Sequence, residues 1–308
     1  MTVYGNVWER SRQHNLIDKT AVILWGTADF FVHAKRVREG SFLIYKKSIR
    51  IGHRGRDKRR SLRLNYKRIL EQQLAIDYDC SIADVQGTEN IFRTYKKNDN
   101  ARLAGEAGSG FKLACVNGKL LVMAEVPLLE WCKEKLANVE GAWISEPANL
   151  ICLHEKLKEY GQVLADAHHY YIPAENAKKQ EHRFDVRWYE KEEIKAFEGD
   201  ERFDEALLFD EEIPDMLAVC AMKGETILGM AGATADTPMV WQIGVNVTEE
   251  GTGLGIGTYV TALLKQRVLE EGKLPLYSTV ESHIKSQKVA FAAGFVPVFY
   301  EIFSEKES

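Results

Sequence analysis

The sequence contains no apolar run long enough to span a bilayer, although 45% of its 308 residues are hydrophobic. It has no apolar core behind a basic leader at its start, so we expect no secretory signal and a cytoplasmic protein. Cysteine is scarce, and the five cysteines form no Cys-x-x-Cys pair. We expect them to be small buried residues in a reducing compartment. The histidines show no metal-ligand spacing, so we expect no metal.

Acidic residues are scarce near the N-terminus. Residues 1–68 contain 17 Lys and Arg against 5 Asp and Glu, whereas the whole chain has a formal net charge of −4. A basic segment of this kind can bind nucleic acid, but no nucleic-acid-binding motif accompanies it. We therefore expect residues 1–64 to be a basic, poorly ordered extension. We expect neither a nucleic-acid partner nor a membrane partner.

Glycine is concentrated in one informative place, at 251–257, between a predicted strand (240–247) and a predicted amphipathic helix (258–271). Side-chain-free backbone ahead of a helix presents several N–H groups to one point, and the helix dipole adds positive potential. Such a segment is typical of a site for phosphate, above all the pyrophosphate of a nucleotide-like cofactor. A purely structural alternative, a tight turn from strand to helix, stays open at this point.

The spacing of the glycines separates the classes of phosphate loop. A P-loop is excluded because no lysine follows these glycines. A dinucleotide fingerprint is excluded because its last glycine would fall at Thr258 or Val260. The stretch Thr252-Gly253-Leu254-Gly255-Ile256-Gly257 resembles instead the Arg/Gln-x-x-Gly-x-Gly/Ala acyl-CoA loop of the GNAT superfamily of N-acetyltransferases. Thr252 stands where that loop usually begins with Arg or Gln.

The flanking segments extend this resemblance. A predicted hairpin (216–223 and 226–233) turns at Gly224-Glu225. A strand (274–280), a helix capped by Ser282 and ending at Gly294, and a last strand (295–303) follow the glycine stretch. This order, with segment 286–295, is similar to the GNAT core. Segments 168–173 and 71–78 resemble two-part GNAT proteins of clostridia-type bacteria. The resemblance implies an α+β (α/β-like) fold with a mixed central sheet flanked by helices.

Residues 111–173 repeat a similar order of elements. Asn117-Gly118 predicts a type I′ hairpin, two helices are predicted at 127–136 and 149–160, and strands at 142–145 and 163–172. No glycine lies between Ala124 and Trp131, so this copy lacks a phosphate loop. We predict a degenerate GNAT-like domain over 65–175, a polar linker at 174–182, and a GNAT acetyltransferase domain over 183–308.

The resemblance implies acetyl-CoA, or another acyl-CoA, as co-substrate and a primary amine as acceptor, on a small molecule or a protein. Main-chain groups around Leu254 to Thr258 would hold the pyrophosphate, and those of Val245 and Val247 would pair with the pantetheine amides and polarise the thioester. The predicted cofactor-binding residues are Val245, Asn246, Val247, Thr252, Gly253, Leu254, Gly255, Ile256, Gly257 and Thr258. A base must also deprotonate the amine.

The catalytic residues depart from the pattern that the resemblance implies. Ala290 stands where many GNAT proteins have a tyrosine acid, and His283 where they often have asparagine. The predicted catalytic residues are His283 and Tyr277, with Ser286, Asp236 and Glu249 as further candidates. Two other functions stay open: a catalytically silent acyl-CoA-binding or regulatory protein, and a nucleic-acid-associated protein that uses the basic segment.

Overall fold

A computed structural model describes residues 21–22, 32–37, 41–46, 54–103, 110–174 and 182–307, with side chains from Tyr66 onward. The chain forms two compact units, Met1–Asp57 and Lys58–Ser308. In the first unit, the described residues form an antiparallel sheet of three strands: β1 (Ala21–Val22), β2 (Val32–Val37) and β3 (Ser41–Lys46). Most other residues of the predicted extension 1–64, and most of the predicted linker 174–182, lie outside the described residues.

The second unit contains a single large sheet with its helices. Its strands are β4 (Ile91–Thr94), β5 (Phe111–Val116), β6 (Lys119–Ala124), β7 (Gln162–Pro173), β8 (Asp185–Glu190), β9 (Asp215–Lys223), β10 (Thr226–Thr234), β11 (Val240–Val247), β12 (Leu274–Val280) and β13 (Phe295–Lys306). Helix α1 (Arg54–Asp77) begins in the last residues of the first unit and continues in the second. The other helices of the second unit are α2 (Ile82–Gln86), α3 (Val126–Leu136), α4 (Pro147–Lys158), α5 (Lys191–Ile194), α6 (Ile256–Glu270) and α7 (Ile284–Ala292). Short 3-10 turns lie at Gly141–Trp143, Lys195–Phe197, Glu201–Phe203 and Glu249–Gly251.

The strand order is β4-β6-β5-β13-β7-β12-β11-β10-β9-β8. Two pairs, β4–β6 and β11–β12, are parallel, and the other neighbours are antiparallel. The expected mixed sheet flanked by helices, and with it the α+β class, is confirmed. Strand β7 lies between β12 and β13, and β13 lies between β7 and β5. The two predicted halves, 65–175 and 183–308, therefore contribute interleaved strands to one sheet.

Helices cover both faces of the sheet. Neighbouring residues of a strand point to opposite faces, so one strand contributes side chains to a core on each side. Tyr277 packs in a core with α6 and α7, which includes Tyr259 and Leu264. The preceding residue, Leu276, packs on the other face in a core with Leu74 of α1. Segment 194–207 covers β9 and β10, and helices α3 and α4 cover β5, β6 and β13. In the described part of the chain, no helix has the length and apolarity needed to cross a membrane.

Several predicted elements are confirmed with small changes in their ends. The Asn117-Gly118 turn has positive φ at both residues (53° and 81°), as a type I′ hairpin requires. The predicted strand 142–145 is wrong, because a 3-10 turn starts there at Gly141. Ala142 and Trp143 are exposed between buried Gly141 and Ile144, a period of three that a strand cannot provide.

Two further local expectations need correction. Ser282 is not the N-cap of α7; His283 occupies that position. The cysteines are only partly buried as a group. Cys132 and Cys220 are buried, and burial raises the pKa of each thiol to about 12. Cys152 is exposed on the outer side of α4, where it packs in no core.

Candidate functional site

An opening forms in the sheet where β11 and β12 separate. Their parallel ladder runs through four residue pairs, from Val240–Leu274 to Ile243–Tyr277. Both strands continue beyond the ladder, β11 to Val247 and β12 to Val280. On its other side each strand remains paired, β11 with β10 and β12 with β7. The result is a gap between two central strands, open toward the C-terminal ends of both.

Main-chain groups of β11 point into this opening. The N–H of Thr248 donates to the carbonyl of Leu228 on β10 at 3.1 Å. In an antiparallel ladder, residues that exchange such bonds alternate with residues whose N–H and C=O groups point away. Counting back from Thr248, Asn246 pairs toward β10, whereas Val245 and Val247 direct their peptide groups toward the position of β12. Since β12 has left the ladder there, these peptide groups are available to a ligand.

The glycine loop lies between the end of β11 and the start of α6. Gly253 and Gly255 have φ of 78° and 77°, in the left-handed region that favours glycine. Gly255 is the N-cap of α6 and supplies no side-chain capping bond, so the first N–H groups of the helix are not capped by a side chain. Within the loop, the N–H of Leu254 donates to Gly251 at 3.3 Å.

Two further glycines let the loop pack closely. A Cβ at Gly251 would collide with the carbonyl of Leu228, and a Cβ at Gly257 would lie 3.2 Å from Val247 Cγ2. The residues from Thr252 to Gly255 are exposed, and Leu254 has 46% of its surface accessible. The loop is thus a cradle of exposed backbone, and side chains in place of its glycines would occupy that space. This arrangement fits a diphosphate group.

The structure brings most of the predicted cofactor-binding residues together. Val245 and Val247 lie on one side of the opening, and the stretch from Thr252 to Thr258 lies at its end. Asn246 is placed differently, because its side chain lies on the sheet face opposite α6. Its Oδ1 accepts from the N–H groups of Glu205 (3.0 Å) and Ala206 (2.7 Å), and its Nδ2 donates to Asp204 at 3.0 Å.

Tyr277 occupies the last rung of the β11–β12 ladder. It is only 2% exposed, and its hydroxyl lies 2.8 Å from Ser286 Oγ on α7. Burial raises the pKa of the Tyr277 phenol, so the group stays protonated at neutral pH. It can therefore donate a hydrogen bond but does not act as a base.

His283 lies at the start of α7, after the end of β12. Its side chain is exposed and makes no capping hydrogen bond with the helix. Asp236 and Glu249 are apart from each other. Asp236 lies in the turn between β10 and β11, at the opposite end of β11 from the opening. Glu249 lies in the 3-10 turn before the glycine loop.

The sequence analysis missed Glu205, His168 and Arg183, which lie on segments next to β11, β12 and the glycine loop. Glu205 lies in the segment that crosses the sheet at Gly244, where any side chain on Gly244 would collide with the Glu205 carbonyl. Its carboxylate is close enough to raise the pKa of both His168 and Tyr277. For His168 on β7, burial outweighs the carboxylates and lowers the pKa, so the imidazole is neutral at neutral pH. The facing glycines Gly232 and Gly244 were the signal for this crossing.

A third missed residue is Arg183, which precedes β8. Its Nη2 donates to the carbonyl of Leu254 in the glycine loop at 3.5 Å. The two residues are 71 positions apart in the chain. No sequence motif joins them.

The fold is similar to that of solved GNAT-family proteins. One is a GCN5-related N-acetyltransferase-like protein from Streptococcus suis, with 15% identity, 76% of this chain and 97% of that chain covered, and a TM-score of 0.42. Another is a GNAT-family acetyltransferase from Colwellia psychrerythraea, with 17% identity, coverage of 64% and 81%, and a TM-score of 0.38. A tandem GNAT protein from the clavulanic acid biosynthesis pathway has 12% identity, coverage of 94% and 84%, and a TM-score of 0.37.

No protein-family model and no curated protein matches the sequence. The similarity to solved structures is too low for their activities to be transferred to this chain. Among the described residues, no group of three or more His, Cys, Asp or Glu side chains is placed to hold a metal ion.

Proposed function

We propose that this protein is an N-acetyltransferase that transfers an acyl group, acetyl in the simplest case, from acyl-CoA to a primary amine. The observation that carries the proposal is the opening between β11 and β12, with peptide groups of β11 along one side and the glycine loop at its end. An extended ligand with amide groups followed by a diphosphate matches this arrangement. Acyl-CoA is a ligand of that kind.

The main chain does most of the binding in this proposal. The uncapped N–H groups at the start of α6, from Gly255 to Thr258, bind the diphosphate, and the helix dipole strengthens the attraction. The peptide groups of Val245 and Val247 pair with the pantetheine amides as a neighbouring strand would. A peptide N–H from the same part of β11 also polarises the thioester carbonyl. When bound, the thioester supplies an activated acyl group.

Proton transfer is assigned to side chains at the two ends of the opening. The attacking amine must be neutral, so a base takes its proton as the C–N bond forms. His283, predicted from the sequence, and His168, whose lowered pKa keeps it neutral, are the two candidate bases. As the C–S bond breaks, CoA leaves as a thiolate, which accepts a hydrogen bond from the protonated Tyr277 hydroxyl.

The proposal also covers the acceptor and the compartment. The amine belongs to a small molecule or a protein, and nucleic acid is not part of the reaction. We place the protein in the cytoplasm, which is supported by five free cysteines.

Calorimetry with acetyl-CoA, followed by a thiol-release assay over a panel of amines, tests the function. We expect binding and amine-dependent release of free CoA. Absence of binding contradicts the proposal, and binding without release for any amine leaves the silent acyl-CoA-binding protein instead.

Variants assign the proton-transfer groups in the same assay. Tyr277→Phe should lower kcat with little change in acetyl-CoA affinity. Of His283→Ala and His168→Gln, the variant that removes the base should lose the acidic limb of the pH profile. A variant with unchanged turnover and profile eliminates that histidine.

A further inference from the structure

The glycine loop carries no positive side chain of its own. Thr252 stands where the resemblance places Arg or Gln, and its hydroxyl donates back to the carbonyl of Thr248 at 3.2 Å. The two residues that lead into the loop, Glu249 and Glu250, are exposed carboxylates. A diphosphate at the loop would therefore meet negative charge on one side. Within the loop itself, only peptide dipoles are present to offset it.

Arg183 brings a guanidinium to the same loop from outside the motif. Its Nη2 lies 3.5 Å from the carbonyl oxygen of Leu254, and its Nη1 would lie 3.6 Å from a Cβ at Gly255. Only one of its five N–H groups is needed for the bond to Leu254. The remaining donors lie beside the backbone cradle.

The exposed side chain of Arg183 also contacts its neighbour in the chain. The guanidinium lies over the Phe184 ring, 5.5 Å from the centroid. Phe184 in turn packs edge-to-face on Tyr259 at 5.4 Å, and the Tyr259 hydroxyl donates to the Phe184 carbonyl at 3.2 Å. Because Tyr259 is buried in α6, this chain of contacts ties Arg183 to the helix whose N-terminus ends the loop. These contacts therefore keep Arg183 close to the N-terminus of α6.

We propose that Arg183 is the diphosphate-binding cation of this protein and replaces in space the guanidinium that Thr252 lacks in sequence. The inference rests on the proposed function, since it names a residue of the same acyl-CoA site. A guanidinium suits this role because its planar fork can donate two hydrogen bonds to one phosphate. A residue that merely braced the loop would lower the melting temperature together with the affinity, whereas a diphosphate contact lowers the affinity alone.

The test compares Arg183→Ala and Arg183→Lys with Arg187→Ala. Arg187 is a matched control, since it lies on adjoining strand β8 but its guanidinium pairs with Glu225 at 3.6 Å. The ligands are CoA and 3′-dephospho-CoA, which share the diphosphate and differ in the ribose phosphate. Calorimetry gives the Kd values, and thermal melting checks that the three variants are folded.

We expect Arg183→Ala to raise Kd about tenfold for both ligands, in keeping with loss of a charge-assisted hydrogen bond. Arg183→Lys should recover part of the affinity because it keeps the charge, and Arg187→Ala should match the parent protein. Unchanged affinity in Arg183→Ala overturns the inference, as does a loss for CoA alone, which would indicate the ribose phosphate. An equal loss in Arg187→Ala overturns it too. If the parent protein binds neither ligand, the proposed function itself fails.

Discussion

At the scale of single residues, the site depends on glycines that two different constraints select. A Cβ at Gly251 would collide with the Leu228 carbonyl, and a Cβ at Gly257 would make a tight contact with Val247. Gly253 has open space around it, and a Cβ at Gly255 would make only an ordinary contact with Arg183, so both are needed for their positive φ. The sequence pattern could identify the stretch as a phosphate loop, but it could not separate these two reasons. Packing distances and dihedral angles are properties of the folded chain.

Gly255→Val tests the loop with a control on the same helix. Valine is strained at φ 77°, so the substitution should distort the N-terminus of α6, and acetyl-CoA affinity should fall by more than about tenfold. Gly272, just beyond the C-terminal end of α6, has φ 75° and open space around it. Gly272→Val should therefore cost similar stability, on the order of 1–2 kcal/mol, and leave affinity unchanged. Calorimetry and thermal melting give both quantities, and a Gly255→Val protein that binds acetyl-CoA normally contradicts the assignment.

At the scale of elements, the sequence predicts local pairs better than distant ones. The hairpins at Asn117-Gly118 and Gly224-Glu225 follow from turn chemistry, and both strands of each pair are confirmed. Nothing in the residues of β11 and β12 indicates that their ladder ends at Ile243 and Tyr277. Beyond that end each strand stays paired with a different neighbour, β11 with β10 and β12 with β7. The opening is therefore a consequence of the whole sheet.

Asn246 connects β11 to the segment that crosses its outer face. Asn246→Ala would leave the N–H groups of Glu205 and Ala206 without their acceptor, and we expect a loss of about 1–3 kcal/mol in the free energy of unfolding. Asn149→Ala is the matched control, because Asn149 makes one exposed bond to the Trp143 carbonyl at 2.9 Å, and it should cost less. Urea unfolding measures both.

The same variant tests the sequence prediction that Asn246 binds the cofactor. If its role is to hold segment 204–206, the folded Asn246→Ala protein should bind CoA within about threefold of the parent, which is below 1 kcal/mol. A much larger rise in Kd, with the fold intact, would establish Asn246 as a cofactor contact.

At the scale of the whole molecule, the two predicted halves are joined by more than a linker. Strand β7 pairs over most of its length with β13 and also pairs with β12. Buried Arg102 bridges Asp77 of α1 (2.6 Å) and Glu301 of β13 (2.9 Å). The sequence suggested two similar units in succession. It could not predict their interleaving, because strands of both units have the same local patterns. Which strands pair with each other depends on the complete sheet.

Asp236 makes the stability of this assembly depend on pH. Burial raises the pKa of its carboxyl group from 3.8 to about 6, against the opposing effects of the Thr234 hydroxyl at 2.8 Å and of Arg102. Between pH 4 and 6 the unfolded chain releases this proton while the folded chain retains it. The Asp236 contribution to stability is therefore present below pH 4 and is lost as the pH rises through 6.

Asp236→Asn removes this titration and should reverse the loss. The difference in unfolding free energy between the variant and the parent should increase in favour of the variant from pH 4 to pH 7 by about 3 kcal/mol, as the rise of the Asp236 pKa from 3.8 to about 6 implies. Above pH 7 the difference should stay level, because the carboxyl group is then ionised in both states. Urea unfolding of the two proteins at half-unit pH intervals measures the curve. A difference that stays constant from pH 4 to pH 7 would show that Asp236 ionises in the folded protein as it does in the unfolded chain.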